Sequence, residues 1–272
     1  AVLPSLAVAG LLGALGVWRH RFERSRVFVP DRFPNGVWSP RRFGLPADDV
    51  WFQSEDGVTL HGWWVPHERA LGTMLYCHGN SGSIAHQVGV FRWMRRLRVN
   101  LLGFDYRGYG RSEGRPSEQG LYADARAAYD YLTGELEVAS RSLVLFGHSL
   151  GGAVAVDLAG QRPVGALVVQ STFTHLKDAT RATFPTLPVH LLAPRRFHSL
   201  EKVRRLTMPK LFIHGDADGT LPLAFGEQLF AAAAAPKELY VVRRAGHNDV
   251  HRHGGRDYFR RLRRFCRRHL AT

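Results

Sequence analysis

From residue 73 onward, short apolar runs recur with stretches of helical period between most of them, and this alternation restricts the fold more than any other feature. The runs are Thr73 to Cys77, Asn100 to Phe104, Ser142 to Phe146, Ala166 to Val169, Lys210 to Ile213 and Glu238 to Val242. Runs of this length with no polar alternation are what strands buried on both faces require. The helical stretches are Ile84 to Arg98, Ser117 to Leu132, Gly152 to Gly160, Leu223 to Ala235 and Arg256 to Leu270. A βαβα order of this kind predicts an α/β domain, an open and mostly parallel sheet with helices on both faces. It has an antiparallel start, because Val50 to Gln53 and Val58 to Val65 flank Ser54-Glu55-Asp56-Gly57, whose Asp-Gly signals a hairpin turn. The 272 residues suit one such domain, over 50–272. In open parallel sheets ligands sit at the carboxyl ends of the strands, so the chemistry is sought there.

Directly after the run ending at Phe146 stands Gly147-His148-Ser149-Leu150-Gly151, followed by Gly152 and Ala153 at the start of a helical stretch. A strand entering, a helix leaving and small residues crowding the turn are what a strained serine elbow needs to push its hydroxyl clear of the backbone. A serine nucleophile needs a base to take its proton and an acid to orient that base. Past the run ending at Ile213 lies His214-Gly215-Asp216-Ala217-Asp218, and past the run ending at Val242 lies Ala245-Gly246-His247-Asn248-Asp249. Both therefore fall on the same sheet edge as Ser149. Ser149, Asp218 and His247 are the expected nucleophile, acid and base; Asp216 competes with Asp218 and is assigned a turn role instead. His148 is expected to point away and His214 to be structural. The two oxyanion donors are expected from the Leu150 N–H and, in the loop Cys77-His78-Gly79-Asn80-Ser81-Gly82, from the Asn80 N–H.

These residues resemble an α/β-hydrolase, with the similarity spanning about 50–270. Asp105-Tyr106-Arg107-Gly108-Tyr109-Gly110-Arg111-Ser112-Glu113-Gly114, then Pro116-Ser117-Glu118 and Leu121-Tyr122-Ala123-Asp124, resemble the membrane-anchored branch of Bem-type serine hydrolases and protein depalmitoylases. The resemblance implies an α/β-hydrolase fold and hydrolysis of acyl esters or thioesters on a small-molecule or lipid substrate. The alternatives are a serine aminopeptidase-like hydrolase, or a catalytically silent membrane-bound binding protein on the same scaffold. The cysteine-rich N-terminus of the depalmitoylases is absent, so depalmitoylation is not carried over.

Residues Ala1 to Trp18 carry no charge, and Arg19, Arg21, Arg24 and Arg26 follow. That pattern predicts a single-pass anchor with the catalytic domain on the cytoplasmic side. The alternative is an export signal, should a basic stretch precede Ala1. Residues 19–49 read as a linker or surface-hugging arm. Residues 172–207, with Pro185, Pro188 and Pro194 and the apolar patch Leu187 to Ala193, read as a lid insertion. The net charge of +14 rests on 33 Arg against four Lys, a bias that weakens any inference toward polyanions, and no nucleic-acid partner is expected. The seven arginines of Arg256 to Leu270 share that stretch with Tyr258, Leu262, Phe265, Cys266 and Leu270 on one stripe, which predicts a closing helix with a solvated basic face. Two cysteines, Cys77 and Cys266, make neither a disulfide framework nor a zinc site. His247, His251 and His253 lack a carboxylate or thiolate set, and Gly108, Gly110 and Gly114 miss the dinucleotide spacing by one place. Neither a metal nor a cofactor is expected.

Overall fold

The computed structural model describes residues 27–183 and 196–270. The expected anchor at 1–18 and the patch at 187–193 lie outside the described residues. Eight strands form one sheet: β1 (Asp48–Gln53), β2 (Thr59–Val65), β3 (Thr73–Cys77), β4 (Asn100–Phe104), β5 (Leu143–His148), β6 (Ala166–Gln170), β7 (Lys210–Gly215) and β8 (Lys237–Val242). Their spatial order is β1-β2-β4-β3-β5-β6-β7-β8. β1 and β2 pair antiparallel through the Asp-Gly turn, β2 pairs antiparallel with β4, and the remaining pairs are parallel.

Each central strand feeds two cores, which is why its sequence shows no polar alternation. Leu75 and Cys77 of β3 and Leu143 and Leu145 of β5 face one cluster, while Met74, Tyr76, Val144 and Phe146 face the other. Helices α2 (Glu118–Asp130) and α3 (Leu150–Ala159) cover the first face, supplying Leu121, Ala125, Val154 and Leu158. Helices α1 (Val88–Met94) and α7 (Val250–His269) cover the second with Phe91, Met94, Tyr258 and Leu262. Each such fully buried large side chain contributes about 1.5–3 kcal/mol over leaving it in water. Both cysteines are buried and free, and burial pushes their thiols up to about 12.

Some helix boundaries differ from the periodicity. The stretch from Ile84 splits into a 3-10 turn (Ile84–His86), α1 and a second 3-10 turn (Arg95–Leu97), ending at left-handed Arg98. Val88-Gly89-Val90 offers only weak helix formers at its centre. The closing helix begins at Val250 but carries a non-helical Gly255 (φ 50°, ψ −133°), so the segment from Arg256 is the amphipathic helix and a short turn precedes it. Its stripe of Tyr258, Leu262, Phe265, Cys266 and Leu270 is buried, with the arginines facing solvent. The described parts of 172–207 include α4 (Leu176–Thr183) and α5 (Ser199–Val203). Helix α6 (Leu223–Ala232) follows β7.

The stretch before β1 lies against the domain. Val29–Pro30 pairs in parallel with Ser81–Gly82, and Phe28, Leu45 and Ala47 are buried. Among the described residues no helix is long and apolar enough to cross a membrane.

Candidate active site

β5 ends at His148 and α3 starts at Leu150, so Ser149 alone turns the chain. Its backbone has φ 55° and ψ −121°, a conformation that costs a non-glycine residue about 1–3 kcal/mol. Three hydrogen bonds hold it there. Ser149 N–H donates to the Gln170 carbonyl at 3.0 Å, and its own carbonyl accepts from the Thr172 hydroxyl at 2.7 Å and from Gly152 N–H at 2.9 Å. The flanking glycines are dictated by contact. A Cβ on Gly147 would lie 2.3 Å from the Gly151 carbonyl oxygen, and one on Gly151 would lie 2.0 Å from that of Cys77.

His247 and Asp218, in the turns after β8 and β7, meet this serine. His247 Nε2 lies 3.0 Å from Ser149 Oγ, and His247 Nδ1 lies 2.8 Å from Asp218 Oδ2. An ionised carboxylate only accepts, so Nδ1 carries the proton and the Nε2 lone pair accepts from the serine hydroxyl. Asp218 is fixed at its other oxygen, Oδ1, which accepts from Thr220 N–H at 2.9 Å and Leu221 N–H at 2.8 Å. His214 Nε2 stands 3.4 Å from Oδ2 and donates to the Leu221 carbonyl at 2.8 Å. Burial opposes ionisation of Asp218, but the hydrogen bonds from His214, His247 and Leu221 N–H outweigh it and hold the carboxyl well below its ordinary value. Asp216 is exposed and takes up its turn role, accepting from Arg244 N–H at 2.5 Å. A serine, imidazole and carboxylate so linked can pass the hydroxyl proton to the ring while the carboxylate supports the resulting charge.

His148 departs from expectation. It does not turn away: its ring centroid lies 5.2 Å from that of His247, and its Nε2–H donates to the His247 carbonyl at 3.1 Å. Strand alternation one residue before the serine would have directed it elsewhere, but the loop after β8 lies over it and offers the His247 carbonyl. Burial, reinforced by the His247 ring, lowers its pKa to about 4, so it stays neutral beside the base.

The loop carrying Asn80 is held at three successive carbonyls. That of His78 accepts from the Tyr106 hydroxyl at 3.1 Å, and that of Gly79 accepts from His78 Nδ1–H at 2.7 Å. That of Asn80 accepts from both the Tyr109 hydroxyl and Val29 N–H, each at 2.9 Å. With the Gly79 carbonyl engaged, the Asn80 N–H of the same trans peptide points the opposite way. The loop is close to the serine, since a Cβ on Gly79 would lie 3.5 Å from Ser149 Cβ. Leu150 opens α3, so its N–H has no partner one turn earlier in the helix.

The tyrosines of the Asp105 to Gly114 loop carry no expected role. Tyr106 and Tyr109 grip the Asn80 loop, and Asp105 lies behind it. Asp105 Oδ1 accepts Ile84 N–H at 2.8 Å and stands 3.7 Å from His78 Nε2, while Oδ2 stands 3.9 Å from His61 Nδ1. All three residues are fully buried, and His61 Nδ1, His78 Nε2 and Asp105 Oδ2 have no hydrogen-bond partner among the described residues. Burial keeps the His78 ring neutral. The signal available beforehand was Tyr106 and Tyr109 at a three-residue spacing in a glycine-rich loop, which fixes no partner.

Above Ser149 opens a cavity of about 310 Å³. Val27, Leu150, Phe173, Leu176, Ala179 and Leu221 give it apolar walls, and Asn80, Ser149 and His247 reach its surface.

This sheet order, with a serine on the strand-to-helix turn of β5 and a histidine and aspartate after later strands, defines an α/β-hydrolase. The chain belongs to the α/β-hydrolase superfamily. Residues 68–200 match the family described as Serine aminopeptidase, S33. A Mycobacterium tuberculosis protein, Rv2307c, is 39% identical over 97% of this chain and 94% of its own length. The α/β-hydrolase domain-containing protein WAV2 of Arabidopsis thaliana is 34% identical over 82% of this chain and 79% of its own. Protein bem46 of Schizosaccharomyces pombe is 31% identical, over 91% and 86% respectively. Among solved structures, the Pyrococcus furiosus esterase Pf2001 shares the fold with a TM-score of 0.75 at 23% identity, over 89% of this chain and all of that one.

Proposed function

We propose that this hydrolase is a serine esterase cleaving acyl esters or thioesters through Ser149, His247 and Asp218. The observation that carries the reading is the unbroken hydrogen-bond chain from Ser149 Oγ to His247 to Asp218, at 3.0 and 2.8 Å, on the floor of a cavity with both apolar and polar walls. His247 Nε2 takes the Ser149 proton as Oγ attacks the acyl carbon, and the negative oxygen of the tetrahedral intermediate is met by the Asn80 and Leu150 amides. Collapse expels the leaving group, which takes its proton from His247. Water, deprotonated by the same ring, then attacks the acyl-enzyme and frees Ser149. The carbonyl grips on 78–80 support pre-organisation of the first donor, so that little reordering accompanies charge development. The cavity volume, near the lower end of ligand sites, suits a short acyl group or the carboxyl end of a longer one.

The membrane-facing part of the proposal rests on the uncharged run 1–18 and the arginines after it, which support an anchored enzyme working on lipid acyl groups from the cytoplasmic side. The family description favours a second reading, an aminopeptidase. That activity needs an acid to hold the substrate amine, and the cavity wall carries no Asp or Glu among the described residues.

The test is covalent labelling by a fluorophosphonate probe, followed by a chain-length series of p-nitrophenyl esters and acyl thioesters beside aminoacyl p-nitroanilides. Labelling of the parent alone, lost in Ser149→Ala and His247→Ala, with ester turnover exceeding anilide turnover, is expected. A folded parent that neither labels nor turns over any ester overturns the reading in favour of a silent binding protein.

A further inference from the structure

Away from Ser149, one cluster of metal-ligating side chains stands at the root of the 172–207 insertion. His175 precedes α4, while His198 and Glu201 lie at the start of α5. Main-chain hydrogen bonds join the two segments: Leu176 N–H to the Arg196 carbonyl and Ser199 N–H to that of Thr174, both at 3.0 Å. This pairing brings His175 Nε2 to 2.8 Å from Glu201 Oε2 and His198 Nδ1 to 3.9 Å from the same oxygen. The two imidazoles are nearly perpendicular, with centroids 5.6 Å apart. One ligand atom from each of the three residues falls within 4.8 Å of the others. A tetrahedral ion with bonds of about 2.0–2.1 Å sets its ligand atoms roughly 3.3 Å apart, between the two observed separations.

A second observation is independent of these three ligand atoms. The other ring nitrogen of His175, Nδ1, donates to Asp178 Oδ2 at 2.9 Å, and that oxygen also accepts from the Thr174 hydroxyl at 2.8 Å. Metal-bound histidines carry such a carboxylate because it fixes the ring and its tautomer and strengthens the coordinating nitrogen. His175 is only 7% exposed, so its ring is held, while His198 and Glu201 are partly open to solvent and leave a path for an ion.

We infer that His175, His198 and Glu201 form a binding site for a divalent metal ion of the zinc class, with Asp178 orienting His175. Two imidazoles and one carboxylate suit a borderline ion, whereas magnesium and calcium favour oxygen-only sets. The ion takes the place of the proton between His175 Nε2 and Glu201, and that proton leaves to solvent. Its effect is structural. It ties the start of α4, whose Leu176, Ala179 and Thr180 wall the cavity, to α5 across the ends of the insertion.

The test uses the full chain, stripped with EDTA, dialysed and titrated with zinc by calorimetry in two buffers of different protonation enthalpy. Expected are one zinc per chain, proton release, a raised melting temperature, and a tetrahedral visible spectrum with cobalt. His198→Ala and Glu201→Gln, checked as folded by their metal-free melting, should each weaken binding by at least about 100-fold, and Asp178→Asn by about 10–100-fold. In His198→Cys, cobalt should give a thiolate charge-transfer band. No zinc binding by the parent, or binding unchanged in His198→Ala and Glu201→Gln, overturns the assignment. So does cobalt binding by His198→Cys without that band.

Discussion

Replacing Asp218 with Asn should inactivate the site without unfolding it, for a reason visible in the hydrogen bonds of its turn. Oδ1 accepts from Thr220 and Leu221 N–H at 2.9 and 2.8 Å, so an Asn there must keep its carbonyl oxygen on those donors. The reverse orientation presses an NH₂ against two N–H groups and leaves both donors unpaired, at about 1–3 kcal/mol each plus the repulsion, so the flipped amide is rare. The amide NH₂ therefore faces His247 Nδ1, 2.8 Å away from the present oxygen, and donates to it. Nδ1 becomes the acceptor, the ring proton moves to Nε2, and Nε2–H now points at Ser149 Oγ, 3.0 Å off, where it has no lone pair to take the serine proton. A loss of about 10³–10⁴ in kcat follows, or about 4–5.5 kcal/mol of transition-state stabilisation. The assay is the rate constant of fluorophosphonate labelling together with kcat for a short p-nitrophenyl ester, with melting followed in parallel. A folded Asp218→Asn protein within tenfold of the parent would refute the tautomer argument.

Three further outcomes are expected. Ser149→Gly removes the strain of φ 55° and should raise stability in urea melts by about 1 kcal/mol while abolishing turnover; a lower midpoint contradicts the strain assignment. His148 is held near 4 in the fold, against an ordinary 6.5, so between those values the unfolded chain binds a proton that the native one refuses. Stability should therefore fall on acidification from pH 7 to pH 5, by about 1–2 kcal/mol from this residue, and His148→Gln should flatten that slope. Asp105→Asn can keep Oδ1 on Ile84 N–H while placing an NH₂ where Oδ2 lacks a partner, facing His61 Nδ1, so stability should hold or rise by about 1 kcal/mol; a drop beyond about 2 kcal/mol shows that the charge itself is needed.

Sequence alone determined the sheet and the edge on which the chemistry lies. Strands such as Thr73–Cys77 and Leu143–His148 are buried on both faces, and that demand is written into each short segment as an unbroken apolar run. Ser149 was legible because its strained turn needs glycines at 147 and 151, a local requirement with a local pattern. Asp218 and His247 were legible because each follows a strand, and parallel strands deliver their ends to one edge.

What only the tertiary structure decided are contacts between segments far apart in the chain. The Tyr106 and Tyr109 hydroxyls reach back 28 and 29 residues to the carbonyls of His78 and Asn80, and Val29 comes from a stretch that reads as a linker or surface-hugging arm with no partner specified. His148 was misjudged because its direction depends on the β8 loop folding over it, 99 residues on. The cluster of His175, His198 and Glu201 forms by pairing across the insertion. Periodicity and turn chemistry report what a residue's own segment requires, whereas a hydrogen bond to a distant carbonyl imposes no spacing, so only packing in three dimensions reveals it.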